Sequence, residues 1–103
     1  MSRYVEVAEV TSLPPGKCRT VVVGNHELAV GNINGNFFAV ADACPHAGAS
    51  LGGGELQGDH LVCPLHAWKF KPLEGSCASQ PASRVARYAT RVIDGHLEVL
   101  LPE

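Results

Sequence analysis

The sequence lacks the features that mark membrane, secreted and nucleic-acid-binding proteins. No apolar run approaches the roughly 20 residues needed to span a bilayer, and residues 1–6 contain no apolar core like that of a signal peptide. The net charge of −2, from ten acidic and eight basic residues, is too weak to suggest a nucleic-acid binder, which needs a clustered basic face. We therefore expect a cytoplasmic protein with no membrane or nucleic-acid partner.

Helical periodicity is also missing, since no stretch combines a helical apolar pattern with capping residues. Short alternating or β-branched segments predict strands instead, and Gly24-Asn25, Asn34-Gly35 and Asp94-Gly95 predict hairpin turns. Residues 56–59 are expected to turn, and residues 77–83 to form a loop. At 103 residues the chain predicts one all-β domain, a sandwich or barrel. The predicted strands cover 4–10, 18–23, 26–33, 37–41, 60–62, 68–70, 87–93 and 96–101.

Two of the four cysteines have a histidine neighbour at the spacing of metal ligands, in Cys-Pro-His and Cys-Pro-Leu-His. In the cytoplasm, cysteines more often bind metal or stay reduced than form disulfides. Thiolate suits zinc and iron–sulfur clusters, and imidazole suits several transition metals. Cys18 and Cys77 have no such neighbours, and we expect them to be buried thiols outside the site. The predicted metal ligands are Cys44, His46, Cys63 and His66.

The residue types allow either a structural zinc ion or a [2Fe–2S] cluster. A Cys2His2 zinc finger usually pairs Cys with Cys and His with His, with both His on a helix. Here each loop is mixed and neither lies on a helical pattern, which disfavours zinc but leaves a zinc-binding interaction module as an alternative. Small residues fill 47–54 between the loops. They either let the backbone pass close to a bulky group or form a flexible loop.

The order Cys-x-His, spacer, Cys-x-x-His resembles the Rieske family, and nearly the whole chain is similar to its soluble Rieske-type ferredoxins. The similarity includes 42–51, 54–56, 63–70, 74–75 and the end of the chain from Tyr88 to Val99. The resemblance implies an antiparallel β-sandwich or barrel-like base, with a small cluster-binding subdomain at approximately 43–82 of a single domain, 1–103. It also implies one Rieske-type [2Fe–2S] cluster per chain. Cys44 and Cys63 would bind its inner iron, and His46 and His66 its outer, more exposed iron.

The same resemblance implies a one-electron carrier and not an enzyme. The chain has room for the cluster domain alone, and it contains no Gly-x-Gly-x-x-Gly nucleotide motif. Electrons would pass from a flavoprotein ferredoxin reductase to the terminal oxygenase of an aromatic ring-hydroxylating dioxygenase system. The carrier is expected to be monomeric in isolation. The alternative within the family is a small Rieske subunit of a nitrite reductase-like complex.

Three positions depart from the high-potential, respiratory-chain members of the family. Ala49 and Leu65 stand where those members have an extra disulfide-forming cysteine, and Trp68 replaces a serine that hydrogen-bonds a bridging sulfide. Hydrogen bonds to sulfur stabilise the reduced, more negative cluster. We therefore expect a potential at the low end of the Rieske range, about −150 mV. Trp68 and Phe70 are expected to pack the base of the cluster-binding subdomain.

Overall fold

The computed structural model describes residues 2–44, 48–64, 67–79 and 84–102. These residues form strands and two short 3-10 turns, Val10–Ser12 and Leu51–Gly53. No helix among them is long and apolar enough to cross a membrane. The strands are β1 (Ser2–Glu9), β2 (Cys18–Val23), β3 (His26–Ile33), β4 (Asn36–Ala41), β5 (Glu55–Gln57), β6 (His60–Val62), β7 (Lys69–Lys71), β8 (Ser76–Cys77), β9 (Arg87–Tyr88), β10 (Thr90–Ile93) and β11 (His96–Pro102).

The strands form three antiparallel sheets, so the all-β prediction is confirmed. The first sheet has the order β1-β11-β10, the second β2-β3-β4-β9, and the third β5-β6-β7-β8. Each predicted hairpin turn forms. Asn34 and Gly35 have φ of 53° and 91°, and Asp94 and Gly95 have φ of 51° and 77°. Positive φ at both central positions is the conformation of type I′ turns, and Gly24, with φ of 60°, provides the single positive φ of a type II′ turn.

The second sheet is the middle layer, because β3 and β4 are buried on both faces. Successive strand residues point to opposite faces, so alternate residues of β3 and β4 pack into two different apolar clusters. We call the cluster shared with the first sheet the base core; it contains Ala8, Leu13, Leu28, Val30, Ala39, Leu97, Val99 and Leu101. We call the other the site core; it contains Ala29, Ile33, Phe38, Val40, Cys44, Leu51, Leu61, Cys63, Phe70, Cys77 and Val85.

Two strands extend into segments predicted to be irregular, and one predicted strand is divided. β5 takes up the first half of the turn expected at 56–59, and β8 includes Cys77, the first residue of the loop expected at 77–83. Both are so short that they depend on pairing with β6 and β7. The predicted strand 87–93 is interrupted at Ala89, because β9 pairs with β4 in the second sheet whereas β10 pairs with β11 in the first.

Candidate metal centre

Two loops carry the two predicted cysteine ligands to one side of the second sheet. The first ligand loop, residues 43–50, follows β4, and the second ligand loop, residues 63–68, joins β6 to β7. Cys44 is 2% exposed and Cys63 is 1% exposed, and both belong to the site core. The fold therefore brings two cysteines that lie far apart in sequence into one dry, apolar cluster.

The first ligand loop is closed by its own backbone. The Cys44 N–H donates to the Ala49 carbonyl at 2.8 Å, and the Gly48 N–H donates to the Cys44 carbonyl at 2.7 Å. Gly48 has φ of +70°, a conformation that costs glycine little because it has no Cβ. Ala43 and Ser50 pair across the neck of the loop. The backbone around Cys44 is thus held from both ends.

The second ligand loop repeats this closure at the same spacing. The Cys63 N–H donates to the Trp68 carbonyl at 2.8 Å, five residues on, as Cys44 does to Ala49. Ala67 lies four residues after its cysteine, as Gly48 does, and it is also left-handed, with φ of +54°. An alanine in this conformation is strained, because its Cβ approaches the following carbonyl oxygen. Sequence reasoning missed the repeat; its available signal was the small residue four positions after each cysteine.

The spacer between the loops is packed at two of its glycines. A Cβ at Gly52 would overlap the Thr20 hydroxyl and backbone of β2, and a Cβ at Gly54 would overlap the Val62 carbonyl of β6. These glycines therefore permit close backbone approach, one of the two roles that the composition left open. The close neighbours are adjacent strands of the protein itself.

The other two predicted ligands, His46 and His66, lie outside the described residues, as does Leu65. Within the described ranges, no three His, Cys, Asp or Glu side chains converge to hold a metal ion. The two cysteines nevertheless fit a cluster. A buried thiolate is unfavourable without a positive partner, and two thiolates in an apolar cluster form a donor set that soft, thiophilic metal centres prefer.

The remaining two cysteines belong to the site core or pack against it. Cys77, on β8, is 3% exposed within the site core, as predicted. Cys18, on β2, is only half-buried, so the prediction of a buried thiol was wrong there, and its thiol donates to the Gly54 carbonyl at 3.7 Å. Burial raises the pKa of the Cys18 thiol, partly opposed by the positive charge of Lys17. The neutral thiol is therefore favoured there, which does not suit a metal ligand.

The aromatic residues after the second loop pack as expected. Phe70 is fully buried in the site core, where it pairs with Leu61 on one side and Cys77 on the other. Trp68 is half-buried and packs against the same cluster. Trp68, the last residue of the second ligand loop, and Phe70 on β7 thus pack into one apolar cluster.

Comparisons with known proteins show a family to which the chain is similar. The family model of the Rieske [2Fe–2S] domain matches residues 3–90. Ferredoxin CarAc of Metapseudomonas resinovorans is 37% identical over 81 residues, which cover 78% of this chain and 76% of the relative. The cholesterol 7-desaturase nvd of Xenopus laevis is 37% identical over 84 residues, but the match covers 80% of this chain and only 17% of that much longer protein.

A solved structure extends the similarity to three dimensions. The complex of reduced oxygenase and oxidised ferredoxin in carbazole 1,9a-dioxygenase contains a chain that matches with a TM-score of 0.85 and 34% identity, covering 93% of this chain and 91% of that one. The family and the ferredoxin relatives imply a Rieske-type [2Fe–2S] cluster as the cofactor. From the family match over most of its length, this chain belongs to the Rieske [2Fe–2S] domain family.

Proposed function

We propose that the protein is a one-electron carrier whose Rieske-type [2Fe–2S] cluster is held by Cys44, His46, Cys63 and His66. The observation that carries the proposal is the pair of buried cysteines, each at the start of a loop with the same backbone closure. When bound, the cluster supplies reversible one-electron transfer at a higher potential than an all-cysteine cluster. The chain itself is a single domain, and its cluster-binding subdomain covers approximately 43–82.

The described residues contribute enclosure and rigidity to this function. Cys44 and Cys63 lie in the site core, where water is excluded and a charged sulfur requires a positive partner. Their N–H groups are occupied by the carbonyls of Ala49 and Trp68. Because each loop is closed by such a bond, little rearrangement of the ligand backbone is needed when the charge of the centre changes.

The role of a carrier between proteins is supported by the relatives. Ferredoxin CarAc is named as a ferredoxin, and the carbazole 1,9a-dioxygenase structure contains a ferredoxin together with an oxygenase. We propose that this protein accepts electrons from a flavoprotein ferredoxin reductase and delivers them to the terminal oxygenase of an aromatic ring-hydroxylating system. It would act in the cytoplasm, as a monomer between encounters, and would have no organic substrate of its own.

Stopped-flow mixing tests this role. The reduced protein is mixed with an excess of oxidised terminal oxygenase from a ring-hydroxylating dioxygenase, and reoxidation is followed by visible absorbance. We expect single-turnover transfer that saturates with oxygenase concentration, and reduction of the oxidised protein by a flavoprotein ferredoxin reductase with NADH. Cys44→Ser, which removes a ligand, is the control. Absence of transfer, combined with co-purification with a nitrite reductase large subunit, would favour the alternative role as a small Rieske subunit.

A further inference from the structure

A buried carboxylate lies at the neck of the first ligand loop. Asp42 is the first residue after β4, two residues before Cys44, and it is 4% exposed. Its Oδ1 accepts the Gly52 N–H at 2.8 Å and the Thr20 hydroxyl at 2.9 Å. A buried carboxylate without donors would be very unfavourable, whereas hydrogen bonds to a charged group are stronger than neutral ones.

The main chain of Asp42 also forms two hydrogen bonds, one through its N–H and one through its carbonyl. Its N–H donates to the Glu27 carbonyl at 3.0 Å, and its carbonyl accepts the Leu51 N–H at 2.7 Å. One residue thus connects β3, β2 and the turn Leu51–Gly53 that follows the loop. Of the partners of Asp42, Leu51 and Gly52 lie within ten residues of Cys44, and Thr20 and Glu27 lie on the second sheet.

A chain of hydroxyl groups extends this connection across the loop. The Thr20 and Ser50 hydroxyls are 2.9 Å apart. Because Thr20 donates its proton to Asp42, Ser50 is the donor to Thr20. Ser50 is also the residue that pairs with Ala43 at the neck. The chain Ser50→Thr20→Asp42 therefore joins the last residue of the first ligand loop to the residue that precedes the loop.

We propose that Asp42 is a positioning residue for the metal centre: through Thr20, Ser50 and Gly52 it fixes the first ligand loop on the second sheet. This inference rests on the proposed ligation by Cys44. Asp42 does not contact the centre in this role; it acts through the loop that carries the ligand. Losing the carboxylate leaves the Gly52 N–H without its acceptor and breaks the connection from Ser50 through Thr20 to Asp42, which favours local opening of 43–54.

Two substitutions at Asp42 and one control separate positioning from general stability. Asp42→Ala removes the acceptor, and Asp42→Asn keeps an oxygen that can accept both hydrogen bonds. Val99→Ala is the control, because Val99 is fully buried in the base core and removing its methyl groups lowers global stability without touching the loop. Three measurements on the oxidised protein apply: hydrogen exchange of a peptide covering 43–54, the rate of cluster loss to an iron chelator, and, after reduction, the paramagnetic spectrum.

We expect Asp42→Ala to accelerate exchange in 43–54 and cluster loss by at least about tenfold, and to shift the g values. Asp42→Asn should restore all three, and Val99→Ala should leave the g values unchanged. The proposal is overturned if Asp42→Ala behaves as the control does, or if Asp42→Asn is as impaired as Asp42→Ala. A wild-type protein without an iron–sulfur signal would instead overturn the proposed function, and the hydrogen-exchange measurement would still report on the loop.

Discussion

Replacing Ala67 by glycine is expected to stabilise the second ligand loop. Ala67 has φ of +54°, and it is exposed, so its methyl group contributes little packing that the substitution could remove. Gly48 occupies the equivalent position of the first ligand loop, with φ of +70°. The two loops thus have different residues in the same left-handed conformation. Exchanging alanine for glycine in one loop, and glycine for alanine in the other, should therefore change stability in opposite directions.

The magnitude follows from two opposing effects. A left-handed conformation costs a residue with a Cβ about 1–2 kcal/mol, and glycine avoids this cost. Glycine also makes the unfolded chain more flexible, which lowers stability by about 0.4–1 kcal/mol. Relief of the backbone strain outweighs the added flexibility, so Ala67→Gly should increase the free energy of unfolding by about 0.5–1 kcal/mol. Gly48→Ala should decrease it by a similar amount, since an added Cβ there meets nothing within 4 Å.

Urea unfolding of the oxidised proteins, followed by far-ultraviolet circular dichroism, measures both changes. With a slope of about 2 kcal/mol per molar urea, the midpoint should move by roughly 0.3–0.5 M, upward for Ala67→Gly and downward for Gly48→Ala. Gly53→Ala is the matched control, because its φ is not positive and an added Cβ would make only ordinary contacts with Ser50. A lower midpoint for Ala67→Gly, or an unchanged one for Gly48→Ala, would refute the assignment of strain.

Three further predictions concern packing, thiol chemistry and potential. Gly54→Ala should destabilise the protein by about 1–3 kcal/mol in urea unfolding, because the new Cβ would overlap the Val62 carbonyl; a neutral effect would contradict that close approach. Burial raises the pKa of Cys18, so less of its reactive thiolate is present at about pH 8. The rate of alkylation by iodoacetamide, followed by mass spectrometry, should therefore be lower for Cys18 than for a small free thiol. The stability that this raised pKa contributes should be fully present below the unfolded-state pKa of the thiol and be lost as the pH rises through the folded-state pKa. Cys18→Ser should keep the visible spectrum. A potentiometric titration should give about −150 mV, and a value well above zero would contradict the interpretation of the loop departures.

The strands and turns were predictable where local pattern determines them. β3 and β11 have enough residues for their patterns to be recognised, and Asn34-Gly35 is a residue pair that hairpin turns favour. β8 was not predictable, since two residues have no periodicity and become a strand only by pairing with β7. The interruption at Ala89 was also hidden, because the sequence does not state that β9 and β10 join different sheets.

The site shows the same division between residue type and geometry. The spacing of Cys44 and Cys63 from their histidines identified them as candidate ligands, because ligand chemistry is a property of residue types. The shared loop closure depends on backbone conformation. Gly48 was recognisable as a small residue, but Ala67 is not a residue type that signals a left-handed conformation. The contacts of Asp42 with Thr20 and Gly52 join distant segments, which only the folded chain brings together.

The paramagnetic spectrum of the dithionite-reduced protein tests the central claim most directly. A cluster with two thiolates on one iron and two imidazoles on the other should give a rhombic signal with a mean g value below that of the free electron. That signal should disappear in Cys44→Ser and His66→Ala. A colourless protein that contains stoichiometric zinc and gives no signal on reduction would contradict the account of this chain as a Rieske electron carrier.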